Sequence, residues 1–337
     1  MTILVTGATG GLGRNAIEAL LAQGVRVRAT GRDPAQRHAF ATRGVQYVQA
    51  DLTNLTPQTL RMLLDGIDTV WHCAALSSPW GSHEAFFAAN VRATTDLAQG
   101  AIAHQVRSFV HISTPSIYFD YQHHADLPES YSPKRFANHY AHTKMLAEDA
   151  IRKHAATQSH THFVILRPRG LFGPHDRVVL PRLLHLLKSR NGVLPLPRSG
   201  LARMDLTYLG NVVHAMQCAT WSAVPSGSAY NITNHEPASL RELLRQLFGQ
   251  ELDLRYEIRT VPYPVMAMAA CAMEGIAAIT RREPLLTRYS AGVLHYDMTL
   301  ANDRARRELG YTPPISMAEG IRLTANWLRS HGHVDHL

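Results

Sequence analysis

The chain opens on its most constraining feature. The apolar run Ile3-Leu4-Val5 passes directly into Thr6-Gly7-Ala8-Thr9-Gly10-Gly11-Leu12-Gly13. Glycines spaced G-x-x-G-x-x-G at a first strand-to-helix turn let the backbone bend tightly and approach a pyrophosphate, whose charge meets a helix N-terminus. Such a start predicts an α/β fold with a parallel sheet and a dinucleotide site. The residues expected to line that site are Thr6, Gly7, Thr9, Gly10, Gly11, Leu12 and Gly13.

The rest of the first half keeps the same rhythm. A helical pattern over Gly11 to Gln23 is closed by Gly24, and strands are expected at Val25 to Thr30, Gln46 to Ala50, Thr69 to Ala74, Ser108 to Ser113 and His162 to Leu166. Helices are expected at about Phe86 to His104 and Tyr140 to His154. Strands alternating with helices require right-handed crossovers and helices on both faces, a Rossmann-type doubly wound sheet. After Arg167 the pattern changes. A Leu-rich helix (about Leu180 to Ser189) leads into the Pro/Gly-rich stretch Asn191 to Gly200. Strand and helix return over Asp205 to Thr220 and Ala229 to Ile232. Helices are then expected at Leu240 to Phe248, Val265 to Ile279, Leu300 to Leu309 and Met317 to Ser330. The expected organisation is a nucleotide-binding domain over 1–168, rejoined by 205–235, and a smaller, mostly helical substrate lobe over 169–204 and 236–337.

Selectivity at the ribose 2′ position is read at the end of the second strand, where NAD enzymes carry an acid. Thr30-Gly31-Arg32-Asp33 stands there instead. Gly31 leaves the strand end uncharged and the Arg32 fork suits a 2′-phosphate, which favours NADP(H) over NAD(H). A register shift of one or two residues would turn Asp33 into an NAD-type acid. Asp51-Leu52 would flank the adenine, or Asp51 would cap a helix.

Tyr140-Ala141-His142-Thr143-Lys144 is a Y-x-x-x-K on a helix, with phenol and ammonium on one face. A nearby positive charge would draw the phenol pKa toward neutrality and let it exchange a proton. The fifth strand ends in Ser113-Thr114-Pro115-Ser116, whose hydroxyls can bond a reacting carbonyl oxygen.

Taken in order, the glycine turn, Cys73-Ala74-Ala75, Asn90-Val91, the hydroxyl strand end, Y-x-x-x-K and Arg167-Pro168 resemble an extended short-chain dehydrogenase/reductase over nearly the whole chain. Leu166-Arg167-Pro168-Arg169-Gly170-Leu171-Phe172-Gly173-Pro174 and Asp205 to His214 are similar to the 3β-hydroxysteroid dehydrogenase branch. Trp80-Gly81-Ser82, Ser113 to Ser116 and Glu283 to Tyr289 resemble bacterial 2-alkyl-3-oxoalkanoate reductases of olefin biosynthesis. Ala29 to Pro34 is similar to the corresponding stretch of NADPH-dependent dihydroflavonol-type reductases. The resemblance implies Tyr140 as acid/base, Lys144 as its tuner and ribose ligand, and Thr114 beside Ser113 at the hydroxyl position. It also implies Cys73, Ala74, Ala75, Asn90, Pro168 and Gly170 at the cofactor, with Pro168 against the nicotinamide. Trp80, Thr114, Ser116 and the region around Leu180 to Leu184 would meet an apolar keto or hydroxy substrate of lipid metabolism. Sugar-nucleotide members usually carry Asn where Gly170 stands and Arg where Met204 stands. An epimerase or dehydratase is therefore disfavoured, with Arg203 one place away. A non-catalytic NADP-sensing regulator would be expected to lose Tyr140 or Lys144.

Composition narrows the remaining classes. Hydrophobic residues make up 45% and charged residues 18%, which suits a compact chain with a sizeable core and excludes disorder. Thirty-four basic against twenty-six acidic residues leave a net charge of +8, but they are dispersed and form no nucleic-acid module. The three cysteines (Cys73, Cys218, Cys271) are far apart, and His123-His124 and His331-Gly332-His333 lack a metal-ligand spacing, so no metal is expected. The first residues read as a strand rather than a signal peptide, making a reducing cytoplasm the expected compartment. Val261 to Thr280 is apolar yet holds two prolines and Glu274, weak for a membrane span. Peripheral contact with a membrane surface by the Val265 to Ile279 helix is the alternative to ordinary packing. The family resemblance implies a homodimer through the Phe86 to His104 and Tyr140 to His154 helices.

Overall fold

A computed structural model describes residues 1–176 and 179–334, the side chain of Val179 excepted. Residues 177–178 and 335–337, which fall in the expected substrate lobe, lie outside the described residues. The chain runs β1 (Thr2–Thr6), α1 (Gly11–Ala22), β2 (Arg26–Gly31), α2 (Gln36–Ala41), β3 (Gln46–Gln49), α3 (Pro57–Leu64) and β4 (Thr69–His72). A long helical run follows as α4 (His83–Phe86), a π-helical turn Phe87–Arg92 and α5 (Ala93–Ala103). Next come β5 (Ser108–Ile112), the 3-10 turn Pro115–Tyr118, β6 (His124–Leu127), α6 (His139–Thr157) and β7 (His162–Pro168). The second half contains β8 (Leu171–Phe172), α7 (Val179–Ser189), β9 (Val193–Leu196), β10 (Arg203–Met204), β11 (Thr207–Tyr208), α8 (Leu209–Trp221), β12 (Ser228–Ile232) and β13 (Ala238–Ser239). It closes with α9 (Leu240–Leu244, continued as a π-helix to Glu251), β14 (Glu257–Thr260), α10 (Tyr263–Thr280), α11 (Arg288–His295), β15 (Met298–Leu300), α12 (Asp303–Leu309) and α13 (Met317–Ser330).

Seven strands form one parallel sheet in the order β12-β7-β5-β4-β1-β2-β3. Its central strands are near-continuous apolar runs because both faces are covered by helices. Ile3, Val5, Val110, Val164 and Leu166 point to one layer, which α1 and α8 close with Ala16, Ile17, Leu20, Val212, Val213 and Met216. Leu4, Val70, Phe109, Phe163 and Ile165 point to the other, against Leu97, Ala98 and Ile151 of α5 and α6. β12 returns from the second half to pair with β7, Ser228 opposite Val164. Strand order reverses between β4 and β1, the place where open α/β sheets take their ligands.

The second half holds more strand than its helical periodicity predicts. Leu300 ends β15 instead of starting a helix, and the Pro/Gly-rich stretch contains β9, which pairs with β14. Short strands of this kind depend on partners distant in sequence and leave little local signature. A separate apolar cluster builds this half from Leu180, Leu183, Leu184 and Leu187 of α7 with Leu243, Leu244, Phe248, Ile321 and Leu328. Helix α10 is unusual. Among the described residues it is the one helix long and apolar enough to cross a membrane by length and composition, and only 17% of it is buried. Met266, Ala270 and Ala277 face inward while Val265, Met268, Ile276 and Ile279 are exposed.

Candidate active site

The carboxyl ends of β1, β4, β5 and β7 meet at one edge of the sheet, and the expected site residues lie there. Gly7 adopts φ +64°, and a Cβ on it would sit 2.8 Å from the Ala74 nitrogen. A Cβ on Gly13 would come within 2.3 Å of the Gly7 carbonyl oxygen. These two glycines bring β1, α1 and the segment after β4 closer together than any side chain allows. Gly10 caps α1 without a side-chain acceptor, leaving first-turn N–H groups for an anionic ligand. A cradle of this shape fits a dinucleotide pyrophosphate. Thr6 helps to set it: its buried hydroxyl bonds the His72 ring at 2.8 Å and accepts from the Ala74 N–H at 3.1 Å. Thr9, Gly11 and Leu12 complete the turn, and Ala75 lies exposed beyond Cys73 and Ala74. Burial pushes the Cys73 thiol up to about 12, so it stays a neutral small group.

At the 2′ end, Gly31 closes β2, with space for a Cβ only 3.0 Å from the Tyr47 hydroxyl and 3.4 Å from Thr9. The Asp33 carboxylate accepts from the Ala35 N–H and the Gln36 amide at 3.0 Å each, fixing the start of α2. Arg32 is exposed. Asp51 caps its own turn through Thr53 at 2.9 and 2.8 Å. The helix cap expected of it belongs to Thr56. Leu52 is buried.

Asn90 sits in the π-helical turn, 1% exposed. Its amide oxygen accepts from Leu76 N–H (2.8 Å), and its nitrogen donates to the Leu76 carbonyl and the Thr143 hydroxyl (both 3.2 Å). It thereby braces the loop after β4 against α6, whose first turn is capped by Asn138 at 2.8 Å from Ala141 N–H.

On α6, Tyr140 is partly buried and Lys144 is 1% exposed. The lowering of the phenol pKa expected from the i, i+4 spacing does not occur. Burial pushes Tyr140 up to about 12, with Thr114 opposing and Tyr289 adding to the rise. The reason is the course of Lys144, which runs to β5 and donates to the Ile112 carbonyl at 2.7 Å beside the His111 ring at 3.1 Å. Burial draws its ammonium down to about 8. His111 and His72 stack at 5.4 Å beneath it, both held neutral by burial and the Lys144 charge.

The three hydroxyls at the end of β5 separate. Ser113 donates to Glu148, which with Arg167 forms a buried pair joined to Tyr118 and Arg152. Thr114 turns the other way, bearing on Tyr140 and donating to Ser116 Oγ at 3.0 Å. Ser116 meets the Tyr289 hydroxyl at 2.6 Å. A hydroxyl chain thus runs from the end of β5 to α11, and sequence reasoning gave its last member no role because α11 is distant along the chain. Pro168 is buried at the end of β7, and Gly170 takes φ +57° with room for a Cβ only 2.7 Å from the Asp205 carbonyl. Trp80 is tied into its loop by Ser78, which also reaches Glu283 at 3.4 Å, and Glu283 pairs with Arg182 of α7 at 3.0 Å.

Comparison with known proteins agrees with this geometry. Residues 3–233 match the NAD dependent epimerase/dehydratase family. The chain is 48% identical over 335 residues to YbjS, an uncharacterized protein of Escherichia coli K12, covering 98% of this chain and 99% of that one. It is 32% identical over 333 residues to the 2-alkyl-3-oxoalkanoate reductase of Stenotrophomonas maltophilia, covering 96% and 98%. The UDP-glucuronic acid 4-epimerase of Bacillus cereus, solved with NAD, shares the fold with a TM-score of 0.76 at 22% identity over 100% of this chain and 99% of that one. The chain belongs to the NAD dependent epimerase/dehydratase family and is an NAD(P)-dependent enzyme of the extended short-chain dehydrogenase/reductase type.

Proposed function

We propose that the enzyme interconverts a ketone and a secondary alcohol on an apolar substrate of the 2-alkyl-3-oxoalkanoate or 3β-hydroxysteroid type, with NADP(H) as cofactor. The observation that carries this reading is geometric: α6 sets Tyr140 and Lys144 beside the hydroxyls that end β5, with Lys144 donating to the Ile112 carbonyl at 2.7 Å and Thr114 to Ser116 at 3.0 Å. A phenol with a pKa of about 12 stays a proton donor at neutral pH and is still far more acidic than an alcohol. A bound nicotinamide supplies the hydride to the ketone carbon. Tyr140 gives its proton to the ketone oxygen, and the Thr114 hydroxyl holds that oxygen in place. Lys144, seated on β5, would hold the ribose, and Pro168 would lie against the nicotinamide. Arg32 would receive the 2′-phosphate, a reading supported by Gly31, which brings no acid to the end of β2, and by Asp33 being engaged at α2.

In this reading residues 1–168 and 205–235 hold the cofactor, and 169–204 with 236–337 hold the substrate, with Trp80, Ser116 and α7 at the contact. The molecule acts as a homodimer joined through α5 and α6 in the cytoplasm. The exposed apolar face of α10 offers peripheral contact with a membrane surface. Two features favour a ketoreductase over a sugar-nucleotide epimerase. The backbone at Gly170 has no space for an Asn, and Met204 packs inward while Arg203 faces outward. The test sets NADP⁺ reduction by a racemic 2-alkyl-3-hydroxyalkanoic acid against epimerisation of UDP-glucuronic acid with NAD⁺. Oxidation of the hydroxy acid alone is expected; epimerisation alone would overturn the reading.

A further inference from the structure

Arg169 follows Pro168 directly and has no role in the chemistry described above. Its backbone is fixed on three sides. The N–H donates to the Ile232 carbonyl at 3.2 Å, the carbonyl accepts the Thr207 hydroxyl at 2.5 Å, and the next residue, Gly170, is locked at φ +57°. The side chain is 7% exposed. Its Nε has no hydrogen-bond partner, and no ion pair reaches the guanidinium among the described residues. The neighbouring Arg167 differs in every respect: its guanidinium is fully engaged by Glu148, Tyr118 and the Glu129 carbonyl.

The groups whose charge bears on Arg169 are Tyr289 and Asp205. Asp205 accepts the Leu300 N–H at 2.7 Å. Tyr289 ends the hydroxyl chain that begins at Thr114. A buried, unpaired cation is costly unless something anionic completes it, and a planar guanidinium is shaped for two carboxylate oxygens. This cation stands one residue beyond the proposed nicotinamide contact, within the electrostatic reach of Tyr289, the last member of the hydroxyl chain.

We infer that Arg169 binds the carboxylate of the substrate and selects a 3-oxo or 3-hydroxy acid over a neutral ketone or sterol. In such an acid a single carbon separates the carboxyl group from the reacting carbon, so one residue next to the nicotinamide can hold it. The inference rests on the ketoreductase reading and narrows its substrate class.

The test compares kcat/KM for a 2-alkyl-3-hydroxy acid and its methyl ester, using NADP⁺, in wild type and in Arg169→Gln and Arg169→Lys. Truncating one partner of a buried charged pair supports an expected fall of about 100-fold in the acid-to-ester ratio for Arg169→Gln, with partial recovery in Arg169→Lys. An equal preference for acid and ester in wild type, or an unchanged ratio in Arg169→Gln, would overturn the inference. Calorimetric titration of the wild-type NADP⁺ complex with the acid and with the ester needs no turnover and no variant. Tighter binding of the acid supports the arginine's role, and equal binding overturns it. No turnover of either compound would remove the ketoreductase reading, while this titration still decides the inference.

Discussion

At position 144 an ammonium with 1% exposure takes its partners from β5, and those partners set its chemistry more than its spacing from Tyr140 does. The Y-x-x-x-K pattern is legible in sequence because it is local. The direction of the lysine is not, because His111 and Ile112 come from a strand more than thirty residues away. The roles of Arg169 and Tyr289 were hidden for the same reason: what singles out the arginine is a buried Nε with no hydrogen-bond partner among the described residues, which only the fold reveals. Arg32 is different, since its neighbours Gly31 and Asp33 are adjacent in sequence, so the proposed NADP preference was legible there. Charge-assisted bonds to a phosphate contribute about 1.5–3 kcal/mol. Arg32→Ala is therefore expected to weaken NADP⁺ binding about 10–100-fold, with NAD⁺ binding changing by no more than about 3-fold, read by fluorescence titration. Equal losses for both cofactors would show that Arg32 does not read the 2′-phosphate.

Among the elements, β5, α6 and β7 are pinned together by one buried group. Glu148 on α6 accepts from Ser113 after β5 and from Arg167 on β7. Arg167 and its neighbours hold its pKa below the usual carboxylate value despite burial. A depressed carboxyl pKa contributes stability above its unfolded value of 4.5, and that contribution is lost as pH falls through the lower folded value. Glu148→Gln leaves the buried Arg167 charge without its counter-ion, an expected loss of about 3–5 kcal/mol at pH 7. In chemical denaturation the gap between wild type and variant should narrow below pH 4.5. A gap that stays constant down to low pH would mean that the pair does not carry this stability. The central elements were readable from their apolar runs and glycine punctuation. β9, β14 and β15 were not, because strands of three or four residues acquire their identity from partners far along the chain.

The whole molecule places a glycine-cradled nucleotide site, a partly buried phenol beside a hydroxyl chain, and an arginine whose Nε has no partner among the described residues toward the carboxyl ends of the sheet strands. A separate apolar cluster packs Leu180, Leu183 and Leu184 of α7. Family membership and the doubly wound sheet follow from the glycine turn and the order of motifs. The substrate depends on which side chains the lobe turns toward that edge. The central claim is that Tyr140 carries a proton in an NADP(H)-dependent ketone–alcohol interconversion. The most direct measurement is the rate of NADP⁺ reduction with a racemic 2-alkyl-3-hydroxyalkanoic acid, wild type against Tyr140→Phe, with NAD⁺ run in parallel. Turnover is expected to prefer NADP⁺ and to fall at least about 100-fold in the variant, the usual contribution of a positioned acid or base. Full activity in Tyr140→Phe, or turnover with NAD⁺ alone, would contradict it.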